Sequence, residues 1–120
     1  KKRTMVSPGT YGQIIEGMRL AVTDGTCRAA NIPGLDVCGK TGTAENKGAD
    51  HSVFMGFAPK ENPKIAVAVY VENGAFGAKF GVPIGALLIE KYLKGKLSEE
   101  SKEKALKIQK ERIYYGTEER

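Results

Sequence analysis

Lys40-Thr41-Gly42-Thr43 is the densest grouping of ligand-ready groups in this 120-residue sequence: one ammonium, two hydroxyls and a glycine in succession. Read as a strand, Lys40 and Gly42 project to one face and Thr41 and Thr43 to the other, because strand side chains alternate. Such a strand offers a cation, two hydroxyls and a backbone N–H to one carboxylate-bearing ligand, and Gly42 lets that ligand or a second backbone come close. A second pattern overlaps the first. Gly34 to Thr41 matches the phosphate-loop pattern G-x-x-x-x-G-K-[ST], which has a mechanism only where a strand precedes it and a helix follows. Here a helical segment and a Pro33-Gly34 turn come before it and a polar stretch with Gly48 comes after, so extended chain is expected instead. Ser101-Lys102-Glu103-Lys104 forms a third pattern, Ser-x-x-Lys. It lies in a helix crowded with charge, without the apolar pocket that desolvates a lysine and activates a serine. His51 is read as a structural residue, and Cys27 and Cys38 as small, buried, unpaired side chains.

Several elements must position these groups. Ser7-Pro8 opens a helix, with Ser as N-cap and Pro at the first helical position. Tyr11, Ile14, Ile15, Met18, Ala21 and Val22 then recur at the spacing of one buried face, and Gly25 stops the helix. Leu35 to Thr43 is the strand that carries the Lys-Thr-Gly run, followed by a polar loop from Glu45 to Asp50. Two further strands, His51 to Ala58 and Lys64 to Glu72, flank a Pro59-to-Pro63 hairpin connection. The second is apolar on both faces, which predicts a central strand, and its Ala66, Ala68 and Tyr70 face offers small side chains for a helix to approach. Asn73 to Ala78 reads as a glycine-rich turn. A helix from Val82 to Lys94 follows, with Ile84, Leu87, Leu88 and Tyr92 on its core side and Gly95 as its stop. From Ser98 the chain is a solvated Glu/Lys-rich helix with a thin apolar stripe, Leu106 and Ile113, expected at the periphery. The order predicts an α+β fold, an antiparallel sheet flanked by helices. Residues 1–96 form the domain proper and 97–120 a charged extension.

Composition narrows the classes. Apolar residues make up 41% and charged residues 28%, which excludes a disordered tail. The longest apolar run, Ile65 to Val71, is far too short to span a bilayer, and no signal peptide is apparent. Two cysteines and one histidine cannot build a disulfide scaffold and suit a structural zinc site poorly; no cofactor is expected. The net charge of +5 is spread along the chain. No aromatic residues interleave with basic ones, so a nucleic-acid partner is not expected.

The surroundings of the Lys-Thr-Gly run carry a further signal. Lys40-Thr41-Gly42-Thr43-Ala44 is followed by Asp50-His51-Ser52-Val53-Phe54-Met55-Gly56-Phe57-Ala58-Pro59, then Pro63-Lys64-Ile65-Ala66-Val67-Ala68-Val69 and Val71-Glu72-Asn73-Gly74. Upstream stand Ile15-Glu16-Gly17-Met18 and Gly25-Thr26. In this order and spacing, residues 5–96 resemble the C-terminal part of the transpeptidase domain of class B penicillin-binding proteins. The Val-Glu-Asn-Gly ending and the Pro83-Ile84 helix resemble the elongation-type penicillin-binding protein 2 branch most.

The resemblance implies the C-terminal portion of a serine transpeptidase/β-lactamase-like fold and a peptidoglycan D,D-transpeptidase acylated by β-lactams. It implies that Lys40 joins the proton network and holds the ligand, and that Thr41, Gly42 and Thr43 form the substrate-binding strand. Thr41 and Thr43 would bind the carboxylate of a D-Ala-D-Ala stem peptide or of the drug, with the Thr43 N–H as one half of the oxyanion hole. It further implies other cell-wall elongation proteins as partners, and a protein of the bacterial inner membrane with this segment in the periplasm. The family also needs a Ser-x-x-Lys nucleophile and a Ser-x-Asn motif upstream of the strand. The four serines here, Ser7, Ser52, Ser98 and Ser101, supply neither, so the nucleophile is expected outside this chain, in the remaining N-terminal half of the transpeptidase domain. Two other readings stand beside this one: a non-catalytic ligand-binding or interaction module that keeps the strand, and a nucleotide-binding fragment built on the phosphate-loop match. Glu45 and Val53 depart from residues common in the family, beside the motif.

Overall fold

A computed structural model describes residues 5–45, 47, 50–72 and 79–110. The expected turn at 73–78, half of the polar loop before His51, and Ile113 lie outside the described residues.

The chain runs α1 (Pro8–Thr23), a short 3-10 turn (Arg28–Ala30), β1 (Cys38–Ala44), β2 (His51–Ala58), β3 (Ile65–Val71), α2 (Gly81–Lys94) and α3 (Glu99–Lys110). Ser7 caps α1, its hydroxyl accepting from the Thr10 N–H at 3.2 Å, with Pro8 in the first turn. The face expected to be buried is covered only in part. Val22 is fully buried, whereas Tyr11 and Ile14 are 41% and 52% exposed. α1 packs on β1 and the 3-10 turn, with Ile15, Met18 and Ala21 half-buried, and leaves Tyr11 and Ile14 uncovered among the described residues.

β1, β2 and β3 form one antiparallel sheet in that order. Among the described residues β2 is therefore the central strand, and β3, expected there, lies at the edge opposite β1. Its apolar character has another origin. Val69 is buried and Ile65, Val67 and Val71 are half-buried toward α2, while Ala66, Ala68 and Tyr70 are exposed on the opposite face. The helix thus packs on the large residues, and the face expected to receive one is open. Val69 is core as expected, but Val67 and Phe57 are only partly buried.

Phe54 is the centre of the packing. It is fully buried between the sheet and α2, and glycines surround its ring. A Cβ placed at Gly39, Gly56 or Gly85 would fall 2.5, 2.6 and 2.3 Å from Phe54 ring atoms. α2 consequently buries Val82, Gly85, Ala86 and Ile89, an arc rotated from the expected one. Leu88 and Tyr92 point outward, 49% and 65% exposed. Gly95 ends the helix with φ +78°, its N–H donating to the Lys91 carbonyl.

α3 is docked rather than free. Glu90, 2% exposed at the end of α2, accepts from the Ser101 hydroxyl at 2.5 Å and from the Ser98 N–H at 2.8 Å. Ser98 in turn caps α3, its hydroxyl accepting from the Ser101 N–H at 3.2 Å. Leu106 is 56% exposed and does not carry the contact.

Candidate functional site

The sequence Gly34-Leu35-Asp36-Val37 turns before it extends. Gly34 and Asp36 have φ of +84° and +47°, which delays the strand to Cys38 rather than Leu35. Gly39, Lys40 and Thr41 then lie within β1, paired with Gly56, Met55 and Phe54. The phosphate-loop match therefore has no cradle: its lysine and threonine sit in a strand, and no helix N-terminus follows.

The pairing register puts Lys40 and Gly42 on one face, with Met55, Val53, Ala68 and Tyr70 as strand neighbours. Gly39, Thr41 and Thr43 share the other with Phe54 and Ser52. Lys40 and Thr43 are exposed and Thr41 and Gly42 half-buried. All four expected site residues therefore line an edge strand whose far side is unpaired among the described residues, where a ligand can meet backbone as well as side chains.

Three anchors hold this strand. Arg19 of α1 donates to the Val37 carbonyl at 2.7 Å, just before β1, and lies 3.8 Å from Asp36. Glu16, one turn earlier, pairs with Lys60 beyond the end of β2, and that carboxylate pushes the Lys60 pKa up. At the Thr43 end, Ser52 lies opposite Thr43 and its buried hydroxyl accepts from the Gly81 N–H at 3.0 Å, tying β2 to the start of α2. Thr26 supplies a further contact, its hydroxyl 3.0 Å from that of Thr41. None of these contacts was read from the sequence. Arg19 had a signal, a lone cation on the side of α1 that carries Ile15 and Val22. Ser52 had none beyond alternation.

The remaining candidates fall away from the site. Ser101 is buried and donates to Glu90, while Lys104 pairs with Glu100 at 3.5 Å; the two do not form a serine–lysine couple. The burial of Ser101 departs from the peripheral setting expected for it, and the cause is the Glu90 contact. Cys27 and Cys38 are buried free thiols. Burial pushes both thiols up, only partly offset at Cys27 by the Thr26 hydroxyl and the Lys40 charge and at Cys38 by Arg19, so neither is a poised nucleophile. His51 stacks obliquely against Tyr70, ring centres 5.2 Å apart, on the open face. Among the described residues no cluster of three or more metal-ligating side chains exists.

Residues 1–90 match the penicillin binding protein transpeptidase domain, and the chain belongs to that family. The Mycobacterium tuberculosis peptidoglycan D,D-transpeptidase PbpA is 40% identical over 106 residues, covering 79% of this chain and 21% of the relative. The solved ceftriaxone acyl-enzyme of M. tuberculosis penicillin-binding protein A superposes with a TM-score of 0.68 at 36% identity, over 77% of this chain and 23% of that one. Pseudomonas aeruginosa PBP2 gives 0.66 at 35%, over 83% and 23%. The chain thus spans about a fifth of the length of the relatives it matches.

Proposed function

We propose that this chain is the ligand-recognising wall of a peptidoglycan D,D-transpeptidase of the penicillin-binding protein 2 type, working with a serine nucleophile supplied by the remainder of the transpeptidase domain. The edge strand β1 carries the reading, because it places Lys40, Thr41, Gly42 and Thr43 along an edge unpaired among the described residues. In this role Thr41 and Thr43 bind the terminal carboxylate of a D-Ala-D-Ala stem peptide or of a β-lactam. Lys40 stands on the adjacent face, where its charge draws the anion in and holds the proton network of the serine. The Thr43 N–H donates to the oxyanion that forms when the serine oxygen adds to the carbonyl, a contribution of ~2.7–4 kcal/mol per donor.

The open sheet face supports the same reading. Met55 and Tyr70 are 53% and 59% exposed there beside Ala66 and Ala68, and an apolar surface next to a cation needs cover. We assign that cover to the part of the domain that brings the serine to Lys40. By the same family reading the intact protein belongs to the bacterial inner membrane with this domain in the periplasm, alongside other cell-wall elongation proteins. Among the described residues no helix is long and apolar enough to cross a membrane.

Labelling with a fluorescent penicillin, followed by denaturation, tests the assignment. The intact protein is expected to take up one equivalent and the 120-residue chain alone none, since proximity to the nucleophile contributes ~7–11 kcal/mol to such a step. A stoichiometric adduct on the isolated chain that disappears in Ser101→Ala would overturn it.

A further inference from the structure

Thr26 is placed with unusual definition for a residue in a turn. Gly25 lies so close to α1 that a Cβ there would fall 2.9 Å from the Ala21 Cα. The Gly25 and Cys27 N–H groups both donate to the Ala21 carbonyl, at 3.1 and 2.9 Å, and Cys27 itself is fully buried. Between these fixed neighbours the Thr26 side chain reaches across to β1, its hydroxyl 3.0 Å from that of Thr41.

A threonine hydroxyl has one proton to give and two lone pairs with which to accept. In an isolated pair either partner can donate. An anion at Thr41 removes that symmetry. To bind a carboxylate, Thr41 must spend its only proton on the ligand, and its contact with Thr26 then survives only if Thr26 is the donor. The result is a directed chain, Thr26 O–H to Thr41 O to carboxylate, in which the first bond polarises the second. With Thr26 fixed by Gly25 and Cys27, Thr41 is also held to the rotamer that keeps its oxygen in line.

We propose that Thr26 is a positioning residue for carboxylate recognition, orienting the Thr41 hydroxyl as a donor toward the anionic end of the substrate or drug. This rests on the assignment of β1 as the carboxylate site, and the experiment separates the two. Acylation rates of the full-length protein are measured with a penicillin and with its methyl ester, which lacks the anion. The variants are Thr41→Val, Thr26→Val, Thr26→Ser and the Thr26→Val/Thr41→Val double. The ratio of acid to ester rates, taken on one sample, cancels any loss of folded protein. Thr41→Val is expected to lower that ratio about 10- to 100-fold, the range of a hydrogen bond to a charged group. Thr26→Val should lower it about 3- to 10-fold, Thr26→Ser should stay within about twofold of the parent, and the double variant should fall no further than Thr41→Val. An unchanged ratio in Thr41→Val would remove the carboxylate site itself. With Thr41→Val impaired, the Thr26 role is overturned by any of three results: Thr26→Val at the parental ratio, Thr26→Ser as impaired as Thr26→Val, or full additivity in the double variant.

Discussion

Phe54 fills the space that Gly39, Gly56 and Gly85 leave open, so the smallest possible addition at any of them meets an aromatic ring already enclosed on its other sides. The ring cannot retreat from Gly85 without striking the sheet glycines. Gly85→Ala is therefore expected to destabilise by about 1–3 kcal/mol, as overpacking does, although alanine is otherwise the better helix former. The cost should shrink in a Phe54→Leu background, which melting temperatures of the two singles and the double will check; equal costs in both backgrounds would mean that the ring is not the obstacle. Gly39 and Gly56 were visible in the sequence as parts of Cys-Gly-Lys and Met-Gly-Phe, but nothing local says which side chain a missing Cβ makes room for. The four residues of the Lys-Thr-Gly-Thr run were legible for the opposite reason. Their chemistry is carried by residue type, and their alternation across a strand follows from backbone geometry alone.

The helices and strands were easier to locate than to orient. Ser7-Pro8 starts α1 and the left-handed Gly95 ends α2, because capping is a local matter, whereas α1 ends at its cap, Asp24, and Gly25 is not the left-handed cap that was expected. Which arc of α2 turns inward was not local. Leu88 is as apolar as Val82 and Ile89, and the choice between arcs was made by Phe54, against which Gly81 and Gly85 lie too close for a larger side chain. The same holds for β3, whose two apolar faces read as a central strand although only the valine face is packed. Val69 sits on that face at 9% exposure, so Val69→Asp places an unpaired carboxylate against α2 and should abolish the cooperative melting transition; retention of the parental melting temperature would show that α2 does not cover β3. The docking of α3 adds a pH dependence. Burial alone would raise the Glu90 carboxyl, but hydrogen bonds from Ser101 and Ser98, with the Lys94 charge, outweigh it and hold the pKa below the ordinary 4.5. A depressed carboxylate stabilises fully above the unfolded value and loses that contribution as pH falls through the folded one. Amide exchange in α3 should therefore accelerate relative to that of β2 as pH falls below about 4.5. Glu90→Gln should exchange faster at neutral pH and show no further acid step.

On the scale of the whole chain, the site is a surface held from behind. α1 grips the start of β1 through Arg19 and the end of the hairpin through Glu16, and Ser52 fixes the far end to α2. These anchors join residues separated by 18, 44 and 29 positions, distances at which periodicity and capping carry no information. The family resemblance found the strand, and only the folded chain shows what steadies it.

The two glycines of β1 have opposite clearances. Gly39 is closed off by Phe54, whereas a Cβ at Gly42 would meet Val53 at an ordinary 3.6 Å. Fold and ligand therefore tax neighbouring positions separately. In a random library of the intact protein sorted only for solubility and protease resistance, alanine should return at 42 and be missing at 39. Under the ligand-binding role proposed for β1, the same library sorted for labelling by a fluorescent penicillin should lose it at both. Position 42 is then one where the fold itself leaves room for a new side chain, and only the proposed ligand role restricts it. Position 39 has no such freedom, whatever the ligand.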